Sequence, residues 1–303
     1  MLPGVLFSRR DFVNVTARAG LAAGLFRPLA AAARRGQIQI GVCASASHLD
    51  DIVRYGFDYL EPAAAAIAEM DETAYQAFKS RVLASRVRCE AFNSFLRRRD
   101  LKVVGDDVRR LDLIGYLETD LQRCAELGGE VVVWGSAGSR NVPPGFSRAR
   151  AWDQIVDFLH LAGDIARPKG LVVAIEPLRS QESNILNTGA EALRMVRQVA
   201  HPSVKMIIDY FHLSQEHESP EILWEARKEI VHFHFANPHG RIWPRDPGED
   251  SGYAPFFAQL RKLIIKTHWR GGLSIEARGT FAQDAAASLA FFHQELGPPV
   301  AIL

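Results

Sequence analysis

Cysteine is scarce in this chain of 303 residues. It has three, Cys43, Cys89 and Cys124, an odd number with no C-x-x-C spacing. That argues against a disulfide framework and against a structural zinc site, and leaves buried or partly buried thiols. Excess charge is missing too: 36 Lys and Arg stand against 35 Asp and Glu, a formal net charge of +1. Nothing there draws the chain to nucleic acid or to an acidic membrane surface. No G-x-G-x-x-G or G-x-x-x-x-G-K-[ST] loop offers a cradle for phosphates. The most apolar N-terminal stretch is broken by Arg18 and Arg27, so no good membrane span is expected. Beyond residue 36 there is no low-complexity segment and no linker.

What is present is ordinary for a globular protein, with 48% apolar and 23% charged residues, enough for a sizeable core. Residues 1–36 stand apart. Ser8-Arg9-Arg10-Asp11-Phe12-Val13 is close to a twin-arginine export motif, and a small-residue stretch from Ala19 ends in Ala30-Ala31-Ala32-Ala33 before Arg34. This predicts export to the periplasm by the twin-arginine route. The alternative is a basic amphipathic helix on a cytoplasmic protein.

From Gln37 to the end at residue 303, apolar runs of strand length alternate with segments of helical period, the mark of repeated βα units. Strands are expected at 38–43, 57–61, 87–92, 130–134, 171–176, 204–209, 230–235 and 272–276. Helices are expected at about 48–55, 72–83, 107–127, 149–166, from the capping box Thr188-Gly189-Ala190-Glu191, from Ser219-Pro220, and at 254–266 and 282–296. In the third of these, Leu111, Leu113, Ile114, Leu117, Leu121 and Cys124 fall near helical spacing. Eight strands with eight helices and no composition break fit a single α/β domain, a closed (β/α)8 barrel.

Four strands end on a side chain that can bind a metal: Glu176, Asp209, His234 and Glu276, at steps of 33, 25 and 42 residues. Each step is about one strand plus helix, so all four should emerge at the barrel's C-terminal rim, where barrel chemistry sits. Any one could be a solvated strand end or a helix cap, but four in a row make an oxygen-rich site for a divalent cation. In His232-Phe233-His234 the period of two points both imidazoles to one face. His234, nearer the rim, is the better ligand, and His232 fits a hydrogen-bonded core histidine. Half of the ten histidines fall between 212 and 239. Glu182, His212 and Arg241 sit in the rim loops, the usual place for substrate contacts. Glu216, His217 and Glu218 read as a solvated approach to a helix. The earlier strands end on Glu61, Asn93 and Trp134, without a histidine.

Ile175-Glu176-Pro177-Leu178, Asp209-Tyr210-Phe211-His212, His232-Phe233-His234 and Ile275-Glu276-Ala277 together resemble the xylose-isomerase-like superfamily of TIM barrels. Within it they are most similar to sugar phosphate isomerases and epimerases, including ketose 3-epimerases and hydroxypyruvate isomerases. The segments 100–105 and 182–188 are similar too. The resemblance, over about residues 37–296, implies one divalent cation, usually manganese, magnesium or cobalt and sometimes zinc, held by Glu176, Asp209, His234 and Glu276. It also implies that Glu176 and Glu276 exchange protons with a ketose or keto-sugar through a cis-enediolate, while Glu182, His212 and Arg241 bind substrate hydroxyls. The arginine stands one residue later than in the ketose 3-epimerases. Two further readings follow from the same residues: a metal-dependent lyase or dehydratase on a 3-keto-glycoside or keto-cyclitol, and, with less support, a phosphodiester hydrolase like endonuclease IV. Members of the group are often homo-oligomers. Export points away from phosphorylated sugars.

Overall fold

A computed structural model describes residues 38–98 and 100–297. The export motif lies outside the described residues. The strands are β1 (Gln39–Cys43), β2 (Tyr59–Glu61), β3 (Ala91–Phe92), β4 (Val131–Trp134), β5 (Val172–Ile175), β6 (Val204–Asp209), β7 (Ile230–Phe235) and β8 (Gly272–Ile275). Between them run α1 (Leu49–Tyr55), α2 (Ala64–Glu69), α3 (Glu72–Ala84), α4 (Arg110–Glu126), α5 (Ala137–Arg140), α6 (Arg148–Ala166), α7 (Gly189–Val199), α8 (Tyr210–Gln215), α9 (Ile222–Glu225) and α10 (Tyr253–Thr267). The last helix, α11 (Phe281–Leu296), follows β8. The strands pair in parallel in the order β2-β1-β8-β7-β6-β5-β4-β3. Bridges Tyr59↔Arg88 and Ala63↔Asn93 join the two end strands, so the sheet forms a single (β/α)8 barrel.

Departures from the expected elements have local causes. The third strand shrinks to two residues, Ala91–Phe92, with only an isolated bridge from Arg88 to Tyr59 before it. Leu111 is 82% exposed, since the buried stripe of α4 runs through Leu113, Leu117, Leu121 and Cys124, and Leu111 sits two residues from Leu113, about 200° round the helix. The helix expected from Ser219 is only α9, one turn long, and α8 precedes it where a loop was expected.

Period-two alternation in β7 sorts the layers. His232 and His234 point into the barrel, while Phe233 and Phe235 point outward at the helices. Phe235 is fully buried among Tyr210, Tyr253, Phe256, Phe257, Phe291 and Phe292, with ring centroids 4.7–6.0 Å away. Replacing it by alanine is expected to cost about 3–5 kcal/mol of unfolding free energy, measured by urea titration. No helix among the described residues is long and apolar enough to cross a membrane.

Candidate metal centre

Strands β5 to β8 bring Glu176, Asp209, His234 and Glu276 together at the rim. One ligand atom from each lies within 4.8 Å of the others. His234 Nδ1 is 3.2 Å from Glu176 Oε1 and 3.1 Å from Glu276 Oε2. The two glutamates thus reach one nitrogen from strands three places apart. Asp209 is paired in register with His234 across the β6–β7 ladder. Its Oδ1 accepts the Phe211 N–H at 2.9 Å and so caps α8, which fixes the side chain. Its Oδ2 faces the site, 3.4 Å from the Arg241 guanidinium.

The three expected substrate contacts join this cluster. Arg241, whose backbone is left-handed at φ 54°, donates from Nη2 to Glu276 Oε2 at 2.7 Å and lies 3.8 Å from Glu182 Oε1. The one-residue displacement of this arginine therefore does not remove it from the site. Glu182 also accepts from Arg179 Nε at 2.7 Å. The Phe211 ring lies between two guanidinium groups, Arg179 at 4.8 Å and Arg241 at 4.7 Å. His212 is buried, and its Nδ1 accepts the Arg179 N–H at 3.1 Å. The proton is thereby placed on Nε2, which lies 3.5 Å from Asp209 Oδ2 without a hydrogen bond, and His212 contributes to the cavity wall.

Charge in the cluster is unevenly supported. Burial, with Glu276 nearby, pushes the Glu176 carboxyl up. Burial takes Asp209 up to about 7 even against the pull of Arg241. For Glu276 burial acts in the same sense but is outweighed by His234 and Arg241, which bring it down to about 2. Burial and then Arg241 bring His212 down to about 3, so this imidazole is neutral. A buried acid raised this far is one whose charge burial penalises more than the nearby cations offset. Three carboxylates and one imidazole within bonding reach of one point suit a divalent cation, whose charge would offset that penalty.

Several residues at the site were not anticipated. Glu61, at the end of β2, is fully buried; its Oε1 meets His234 Nε2 at 2.8 Å and its Oε2 meets His232 Nε2 at 2.9 Å. Burial raises this carboxyl, but His234 and His232 outweigh it and hold it far below the usual range. Arg140, also fully buried, donates to the carbonyl oxygens of Trp134 at 2.9 Å and Glu176 at 2.6 Å, tying the ends of β4 and β5 together. Gly135 is needed for space: a Cβ there would lie 1.7 Å from Glu176 Oε2. Glu216 and Glu218 are not simply solvated. The first accepts from Ser180 N at 2.6 Å, and the second caps α7 through Gly189 N at 2.7 Å.

A cavity of about 410 Å³ lies over the cluster, bounded by Glu176, Glu182, His212, Arg241 and Glu276 and by the loops at Ser94–Arg98 and Gly135–Ser139. A second hollow of about 570 Å³ meets it at Arg241 and Glu276 and is walled by Ala44, Pro62, Ala63, Ala66, Ile67 and Met70.

Known proteins resemble this chain in sequence and in fold. A 3-dehydro-D-guloside 4-epimerase of Escherichia coli is 27% identical over 219 residues, 69% of this chain and 79% of that protein. A D-psicose 3-epimerase of Agrobacterium fabrum is 24% identical over 200 residues, 64% of this chain and 68% of that protein. Among solved structures, D-psicose 3-epimerase with D-tagatose from Clostridium cellulolyticum matches with a TM-score of 0.74 at 17% identity, covering 86% of this chain and 99% of that one. Apo 3-keto-D-glucoside 4-epimerase from Escherichia coli matches with a TM-score of 0.69 at 23% identity, covering 85% and 100%. These relatives are sugar epimerases. The model of the xylose isomerase-like TIM barrels matches residues 49–294, nearly the whole barrel with its rim residues, and the chain belongs to that family.

Proposed function

We propose that this chain is a divalent-metal-dependent sugar epimerase that inverts a carbon next to a carbonyl by removing and returning a proton. One observation carries the reading: Glu176 and Glu276 approach the same His234 nitrogen, at 3.2 and 3.1 Å, from separate strands. Two carboxylates converging on one small volume can serve as base and acid at the same carbon. A bound cation would supply electrophilic stabilisation of the charge that grows on the carbonyl oxygen as the proton leaves. Glu176, Asp209, His234 and Glu276 would hold it. His212 presents a neutral Nε2–H to a substrate oxygen, Glu182 accepts from a hydroxyl, and Arg241 supports the charge on Glu276 and orients the substrate. The low exposure of Glu176 and Asp209, 5% and 1%, keeps water from competing for the proton.

The hollow beyond Arg241 favours a substrate larger than a free ketose. Its alanine-rich wall would take the aglycone of a 3-keto-glycoside, and the sugar ring would lie in the polar cavity. A substrate with a leaving group β to the carbonyl would turn the same proton abstraction into elimination, which keeps a lyase as the second reading. The twin-arginine pattern adds the proposal of export, which also suits an unphosphorylated sugar.

Two measurements test this. Purified protein is expected to bind one manganese or cobalt ion per chain. At a hundredfold excess over Kd this adds about 2.7 kcal/mol and raises Tm by roughly 5–10 °C. A folded protein that takes up neither ion sinks the metal half of the proposal. Proton NMR in deuterated water, with a panel of ketoses and 3-keto-glycosides, is expected to show deuterium entering at the inverted carbon. Release of the aglycone in its place would decide for the lyase.

A further inference from the structure

We infer that Glu61 is a positioning residue that sets which nitrogen of His234 faces the cation; the inference rests on the metal site proposed above. The observation is a polar chain inside the barrel. Tyr59 Oη donates to Ser274 Oγ at 2.7 Å, and Ser274 Oγ donates to Glu61 Oε2. The two imidazoles, His232 at 2.9 Å and His234 at 2.8 Å, fill the remaining acceptor positions of the carboxylate. Every member is at most 2% exposed.

A carboxylate only accepts, so both Nε2 atoms must carry hydrogen. Nδ1 is the atom that faces Glu176 and Glu276, where it carries hydrogen in the absence of a cation and would offer its lone pair to one, because Nε2–H stays on Glu61. Without Glu61 the ring has no strong acceptor for Nε2–H: the next neighbour, Cys43 Sγ, lies at 3.9 Å. The proton could then move to Nδ1 and block the ligand position. A carboxylate behind a metal-bound imidazole also raises its donor strength, and losing such a partner typically costs metal affinity. Glutamine at this position makes the demand explicit. It has the same size, but its amide can accept from only one of the two imidazoles and must donate toward the other, so one ring has to exchange its tautomer.

The test is Glu61→Gln, compared with wild type by calorimetric titration with Mn²⁺ and by nitrogen-15 NMR of histidine-labelled protein. Wild-type His234 is expected to carry hydrogen on Nε2 with and without a bound cation. In the variant, one of His232 and His234 loses its Nε2 hydrogen and the Mn²⁺ Kd rises about 10–100-fold. A wild-type His234 without hydrogen on Nε2, or a variant with lower thermal stability but an unchanged Kd, overturns the inference. If wild-type protein binds no Mn²⁺ at all, the metal reading fails, while the wild-type tautomer still decides the role of Glu61. That second readout also holds if the variant does not fold.

Discussion

Glu176→Gln and Glu276→Gln are each expected to lower the rate of inversion by roughly 10²–10⁴-fold at saturating metal. Glutamine keeps the shape and an oxygen that can still face a cation, but it can neither take up nor release the proton. Two residues sharing one carbon leave a more specific trace than lost rate. A variant missing one carboxylate can still remove and return a proton on the other face. Each single variant should therefore exchange deuterium into one epimer without inverting it, and the two variants should favour opposite epimers. The double variant should do neither. Hydrogen-1 spectra of both epimers, followed in deuterated water, read this directly. Inversion that persists in the double variant would remove both residues from the chemistry.

Gly135→Ala is expected to cut kcat/KM by about 10²-fold or more while leaving the fold in place. The Cβ would fall 1.7 Å from Glu176 Oε2 and 2.9 Å from its Cδ, so the carboxylate has to move aside. A displacement of about 1 Å in a reacting group is enough for a loss of that size. Gly135 has no left-handed backbone to defend, so the penalty comes through Glu176. Gly115→Ala, in α4, is the control: a Cβ there meets nothing within 4 Å, and activity should be kept. Steady-state kinetics with circular dichroism on both variants checks this. Equal activity in the two would show that Glu176 does not work from its observed position.

The rim was legible because two regularities act together. Apolar runs of strand length fix where each strand stops, and one βα unit per step puts every stop at the same end of the barrel. Glu176, Asp209, His234 and Glu276 could be read in this way without any contact being visible. Glu61 gave the same strand-end signal, yet its role depends on β2 facing β7 across the barrel interior, a relation that no spacing along the chain encodes. Arg140 gave no signal at all. It ends one turn of helix, α5, where a loop was expected, and a lone arginine there resembles a surface residue until its burial is seen. Helix α8 was missed because Asp209 was read as a ligand, while its second oxygen caps that helix. Glu216 and Glu218 were set aside as solvated because their partners, the backbone of Ser180 and of Gly189, lie in other units.

Under the proposed function, that double use of Asp209 has a consequence for redesign. With Oδ1 committed to the first turn of α8, residues 209–212 form one piece that carries the proposed ligand at one end and the proposed His212 donor at the other. Tilting α8 to accommodate a new sugar would drag the ligand along, so changes of specificity made there would be entangled with metal retention. The hollow walled by Ala63, Ala66 and Met70 contains no member of that piece. Under the proposed function, substrate range would be altered there through the side-chain size of Ala63, Ala66 and Met70, with Arg241 and Glu276, which line the same hollow, left unchanged.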